Sequence, residues 1–337
     1  MQKTHSLTRF FGAVITLLAL AGVVWADDPR VPVRRTNDNR GGNANDQLPA
    51  SVLVFNLFTS SATGGGQAQK NTKLTITNTN REAQAIIHLF VIDGTTCATA
   101  DAYLCLTPNQ TASFLASDID PGTTGYLIMV ATDSVTGCPI NFNYLVGSEM
   151  VKLASGHAAK LNAVGFSALY RNTLPGCNRD TSMATLNFDG RDYEAAPRRL
   201  ALDNIPSPAD GNSTLLIVNS LNGNLATGIT KLNQVFGVLY DDAENAFSFA
   251  SPAACQLLRP LADDFPRTSP LFSQVLPTTR SGWLFVMATR DLGLTGAAIN
   301  FNAQAATAVN AFNGGSNLHH LEMTSSTLVM PVFPPSC

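Results

Sequence analysis

Four histidines beyond residue 26 and two acidic turns are the places where this chain could do chemistry. His319 and His320 stand beside Glu322, the one local group offering both the imidazole and the carboxylate that a transition metal takes. On an extended strand His320 and Glu322 share a face while His319 points the other way, so only two ligands come together. Asp118-Ile-Asp120-Pro-Gly122 alternates carboxylates, as a calcium ion in need of several oxygens requires. It lacks the third carboxylate and the distal Glu of an EF-hand loop. Asp241-Asp242 with Glu244 is a second acidic turn. Either turn is equally a loop fixed by side-chain-to-backbone hydrogen bonds. Asp118, Asp120, His320 and Glu322 are thus the candidate metal ligands, and calcium is the one cofactor raised.

His88 lies in an apolar run and reads as a packed imidazole; His157 follows Ser155-Gly156 in a turn. No G-x-S-x-G elbow, H-E-x-x-H pair or phosphate-cradling Walker loop is present. A Ser-His-Asp triad assembled across loops stays open, because triads are recognised by geometry and not by spacing. No catalytic residue is assigned. Trp283, the one tryptophan beyond the leader, sits in an apolar run that reads as core, and no aromatic cluster for stacking a sugar is visible.

The elements that must position these residues come in two copies. Gly125-Tyr-Leu-Ile-Met-Val-Ala-Thr132 returns as Gly282-Trp-Leu-Phe-Val-Met-Ala-Thr289, and Val91-Ile-Asp93 as Leu239-Tyr-Asp241. Residues 71–79 match 212–220, and Ile140-Asn-Phe-Asn143 matches Ile299-Asn-Phe-Asn302. Collinear matches with growing offsets mean a shared strand order with lengthened loops. Short alternating runs predict strands at 52–58, 73–77, 85–92, 103–106, 111–115, 126–131, 140–145 and 162–169. The implied fold is all-β: two tandem Ig-like β-sandwich domains related by internal duplication, over residues 48–175 and 180–337. Thr75 and Thr77 of the first copy become Leu216 and Val218 in the second. A strand that loses its polar face is covered on both sides, here by residues 183–205, the first domain or another molecule.

Residues 1–26 read as a signal peptide: Lys3 and Arg9, an apolar stretch from Phe10 to Val24, then Val24-Trp25-Ala26 as cleavage site. Residues 27–47 carry no apolar periodicity and read as a disordered tail. The sequence then predicts an exported protein, extracellular, cell-surface or periplasmic, without a transmembrane segment once the leader is gone. Its removal leaves 19 of the 21 basic residues against 24 acidic ones, a charge near −5 that gives no footprint for nucleic acid. With 13% charged and 45% hydrophobic residues, the chain is too apolar for disorder. Cys97, Cys105, Cys138, Cys177, Cys255 and Cys337 form an even set, read as three disulfides in an exported protein. Fifteen pairings are open; Cys97–Cys105, Cys138–Cys177 and Cys255–Cys337 keep each bridge inside or at the edge of one domain.

The phrases Ser113-Phe-Leu-Ala-Ser-Asp-Ile-Asp-Pro-Gly122, Val151-Lys-Leu-Ala-Ser-Gly-His157 and Ser281-Gly-Trp283 resemble those of exported bacterial proteins with tandem β domains. The resemblance spans most of the chain beyond the leader. It implies export and a two-part β architecture, and carries no activity, ligand or catalytic residue.

Function follows as an expectation from class. A non-enzymatic structural or adhesion-type protein would present loops and edge strands to an extracellular protein or glycan, with self-association possible. A carbohydrate- or calcium-dependent binding module and an extracellular hydrolase with loop-borne residues are the alternatives.

Overall fold

The computed structural model describes residues 44–61, 70–177, 182–264 and 270–336. All belong to one compact unit. The expected leader, residues 27–43 of the expected tail, and Cys337 lie outside the described residues.

In the first half, β1 (Val52–Thr59), β3 (Ala85–Asp93), β4 (Thr99–Leu106), β6 (Thr124–Thr132) and β9 (Val164–Phe166) form sheet I in the order β4-β3-β6-β1-β9. β2 (Asn71–Asn78), β5 (Thr111–Leu115), β7 (Leu145–Lys152) and β8 (Ala158–Asn162) form sheet II in the order β5-β2-β7-β8. The second half reproduces both orders. β11 (Ala196–Pro206), β15 (Asn233–Asp241), β16 (Ala246–Ala253), β18 (Ser281–Ala288) and β21 (His319–Thr324) give sheet III as β16-β15-β18-β11-β21. β12 (Ser213–Ser220), β17 (Gln256–Pro260), β19 (Leu294–Phe301) and β20 (Gly314–Asn317) give sheet IV as β17-β12-β19-β20. Sheet V has no counterpart: β10 (Met183–Phe188), β22 (Ser326–Pro331), β13 (Gly223–Asn224) and β14 (Gly228–Ile229), in the order β10-β22-β13-β14.

The duplication therefore holds at the level of topology, strand for strand, down to a bulge. β1 shifts register against β6 between Phe55 and Phe58, and β11 shifts against β18 between Leu202 and Ile205. The chain is all-β, as its alternating runs require, but the five sheets are set in a propeller-like ring and not as two free-standing Ig-like sandwiches. Sheet I shows why. Its Leu53, Phe55, Leu127 and Met129 pack on Leu74 and Ile76 of sheet II. Its other face, through Val54, Phe90 and Ile128, packs on Leu186, Phe188 and Leu328 of sheet V. Being covered twice is what makes β1 and β6 continuous apolar runs.

The second copy differs by one residue of facing. Leu216 and Val218 join Leu200, Leu284 and Val286 of sheet III in the core of their own repeat. Leu215 and Ile217 face the first repeat, against Leu57, Val151 and Leu161. In facing, Leu216 and Val218 thus correspond to Leu74 and Ile76, so the match of 71–79 to 212–220 is one position out of structural register. With a period of two, that slip exchanges the faces. The surplus apolar face does meet the first repeat, but through Leu215 and Ile217.

Two local expectations are corrected. Residues 140–144 form only an isolated bridge at Ile140 and no strand, because Asn141 and Asn143 turn their side-chain amides onto the Tyr170 and Ala168 carbonyls, at 2.5 and 3.0 Å. Ile299 to Phe301, by contrast, close β19, so the Ile-Asn-Phe-Asn phrase sits in unlike surroundings in the two copies. Residues 44–47, expected in the tail, belong to the fold: Asn45 exchanges backbone hydrogen bonds with Gly165 and its side chain caps Gln47 and Leu48.

Candidate functional site

The outer face of sheet III is laid out in rows by strand register. Tyr240 stands opposite Trp283; Val238 opposite Phe285, which is opposite Ala201 and then His319. The third row is Phe236, Met287, Arg199 and Glu322. The Tyr240 and Trp283 rings are stacked at 4.6 Å with an interplanar angle of 11°. The Arg199 guanidinium lies 4.9 Å over the Phe285 ring, an arrangement in which the cation meets the negative ring face. Arg199 and Arg198 both bind Glu322, at 2.7 and 2.9 Å. Trp283 remains 42% exposed, and Tyr240, Phe285 and Met287 are half-buried.

The same rows in sheet I are sealed. Ile92 stands opposite Tyr126; Phe90, Ile128, Val54 and Val164 form the second row; His88, Val130, Val52 and Phe166 the third. All are buried, in large part under sheet V. Among the described residues no sheet covers the outer face of sheet III. An aromatic patch rimmed by ion pairs is the composition of a binding surface. Trp283, read from the repeat as core, is instead the most exposed ring of that patch. The sequence signal lay in the substitutions at equivalent positions, but they mean exposure only once sheet V is known to serve one repeat.

A cleft of about 610 Å³ opens beside the edge strand β21. Asp46, Lys160, Asn162, Asn317, His319 and His320 contribute to its lining. Asn317 ties its walls together, donating to Asp46 and the Asn162 carbonyl at 3.0 and 2.7 Å and accepting from Asn56 at 2.8 Å. His320 is held below the ordinary imidazole value by burial, partly offset by the Ala44 backbone and the Asp46 charge. It is therefore neutral near pH 7.

The candidate metal ligands are not brought together. His320 lines the cleft, whereas Glu322 is occupied by Arg198 and Arg199 on the outer face. A register shift in β21 causes this, since Glu322 and His320 stand opposite the adjacent residues Arg199 and Leu200. Asp118 caps its own turn, accepting from Leu115 N at 2.9 Å, and the Asp120 carbonyl accepts from Ser60 Oγ. Asp241 likewise accepts from Ala243, Asn245 and the Asn245 side chain. Among the described residues no group of three or more His, Cys, Asp or Glu is placed to hold a metal ion. His157 is pinned between Ser155 and the Ser213 carbonyl, away from the cleft lining. His88 is buried with Nε2 at 2.8 Å from Asp101 and its ring stacked on Tyr103.

Of the cysteines, Cys138 is bonded to Cys177. Cys97 and Cys255 are free thiols lying together, so the expected Cys97–Cys105 and Cys255–Cys337 bridges are not formed. Cys105 is itself disulfide-bonded. The chain's turns decide this: Cys97 faces inward to the junction of the halves while Cys105 lies on β4.

No protein-family model matches the chain, and no curated protein matches it. Among solved structures, the crystal structure of Thermotoga maritima 1070 is similar over 35% of this chain and 93% of its own, at 13% identity and a TM-score of 0.26. Tripeptidyl peptidase 2 is similar over 89% of this chain and 26% of its own, at 9% identity and a TM-score of 0.21. Likeness at that level carries no argument about fold or function.

Proposed function

We propose that this chain is a secreted or cell-surface, non-enzymatic binding protein of adhesion type, whose contact surface is the outer face of sheet III. One observation carries the reading: equivalent sheet faces are sealed in the first repeat and open, aromatic and Arg-rimmed in the second. The two halves, 48–175 and 180–337, are read as β modules, with sheet V, drawn from the second, packed on sheet I of the first. Tyr, Trp, Phe, Met and Arg are the residues enriched where proteins bind partners, the aromatic ones because they give large contact area for few rotatable bonds. A glycan is the second reading, favoured by the exposed Trp283 beside Tyr240, since sugar rings pack on aromatic faces.

The test is direct. The chain is immobilised and probed with an array of cell-surface polysaccharides and extracellular matrix proteins, beside Trp283→Ala and Phe285→Ser. The proposal expects a bound probe whose affinity falls about tenfold or more in the variants, the loss of one aromatic anchor. Binding indifferent to both substitutions would remove this face as the site.

A further inference from the structure

We infer that Cys97 and Cys255 are a modification site, a thiol pair set to close a disulfide that joins the two halves of the chain. The geometry comes from both sides of the junction. In the first half, Asp93 shapes a tight turn: its carboxylate accepts from Thr95 and Thr96 at 2.7 and 2.8 Å, and its carbonyl accepts from Cys97 N at 2.9 Å. Cys97 takes a φ of 66°, the left-handed region. From the second half, Cys255 directs its Sγ at the same Asp93 carbonyl, at 3.2 Å, while Gln256 N donates to Gly94 O at 3.3 Å. Ile229 N donates back to Cys97 O at 3.1 Å. Both thiols are buried in one cluster, within hydrogen-bonding contact of each other.

That contact, with Lys231 nearby, draws the Cys97 thiol down to about 7.

Closure is exchange with an external disulfide, of low molecular weight or in the active site of an oxidoreductase. The Cys97 thiolate attacks one sulfur of the oxidant, its S–S bond breaks, and one oxidant thiolate leaves. Cys255 then gives its proton to solvent, attacks the Cys97 sulfur and expels the second oxidant thiolate. Two electrons pass to the oxidant, and one S–S bond forms for each one broken. With Cys97 4% and Cys255 0% exposed, exchange takes place while the turn is still open during folding, and the finished bond is shielded from reductant. The inference is independent of the binding reading above.

The experiment refolds fully reduced chain in a glutathione redox couple, blocks remaining thiols, and maps disulfides by mass spectrometry. A peptide pair linking Cys97 to Cys255, two hydrogens lighter than its thiols, is the expected result. Protein so oxidised should melt roughly 5 °C or more above the double variant Cys97→Ser/Cys255→Ser refolded alongside. Refolded protein that holds the 138–177 bridge but has Cys97 and Cys255 both blocked by alkylation, or Cys97 linked to Cys105, overturns the inference.

Discussion

Tyr126 and Trp283 occupy the same position in the two repeats, yet Tyr126 is fully buried with its hydroxyl donating to Ser220 O at 2.8 Å, and Trp283 is 42% exposed. The same place in the same sheet order is core in one copy and surface in the other. Tyr126→Ala should cost about 3–5 kcal/mol, the loss of a sealed aromatic, whereas Trp283→Ala should cost under about 1 kcal/mol. Denaturant titration of both variants checks this; equal losses would mean that Trp283 is covered in solution.

The junction between the repeats rests on Leu215 and Ile217 meeting Leu57, Val151 and Leu161. Ile217→Ala should destabilise by about 2–4 kcal/mol. In a double-mutant cycle with Leu161→Ala the two losses should fall short of additivity by roughly 0.5 kcal/mol or more. Strict additivity would show that the two side chains do not share a core.

Glu149 is buried at the bulge of β1, where it accepts from Leu57 N at 3.1 Å through Oε1 while Oε2 has no partner among the described residues. Burial raises its carboxyl well above the ordinary 4.5, against the Leu57 and Asn56 amides that favour its charge. The folded chain thus keeps a proton that the unfolded chain releases above pH 4.5. The stabilising balance is whole below that pH and is lost as pH rises toward the folded value. Glu149→Gln should therefore be more stable than the parent above pH 7 by about 1–2 kcal/mol, with the difference vanishing below pH 4.5. Melting curves from pH 4 to 8 test the sign.

Cys138 and Cys177, 39 residues apart, tie the end of the first repeat to the turn after β6. Replacing both with Ser should cost about 2–4 kcal/mol, read as a lower midpoint in guanidinium.

The carboxylate of Asp118 is already engaged by its own turn, as is that of Asp241. Calcium at millimolar concentration should then leave the melting temperature unchanged relative to chelator. A rise of several degrees would restore the calcium reading, since a ligand bound only by the folded state stabilises it.

The period-two alternation of Leu74 and Ile76, the continuous apolar runs of β1 and β6, and the repeated phrase at 125–132 and 282–289 were enough to read strands, their central places and the duplication. Residues 140–144 depart from the strand their apolar pattern predicts because two asparagine side chains compete locally with the ladder, which apolar periodicity cannot register. The aromatic face was hidden for a different reason. Its residues look like core, and in the first repeat their counterparts are core.

Local pattern therefore determined the all-β class, the strand-by-strand duplication and most strand positions, because side-chain alternation is a property of each segment alone. Tertiary structure decided which faces are sealed, which cysteines meet and where His320 and Glu322 point. Those depend on where β10 and β22 dock, on a one-residue slip in β12 and on the bulge in β21, and each brings together residues that are far apart along the chain.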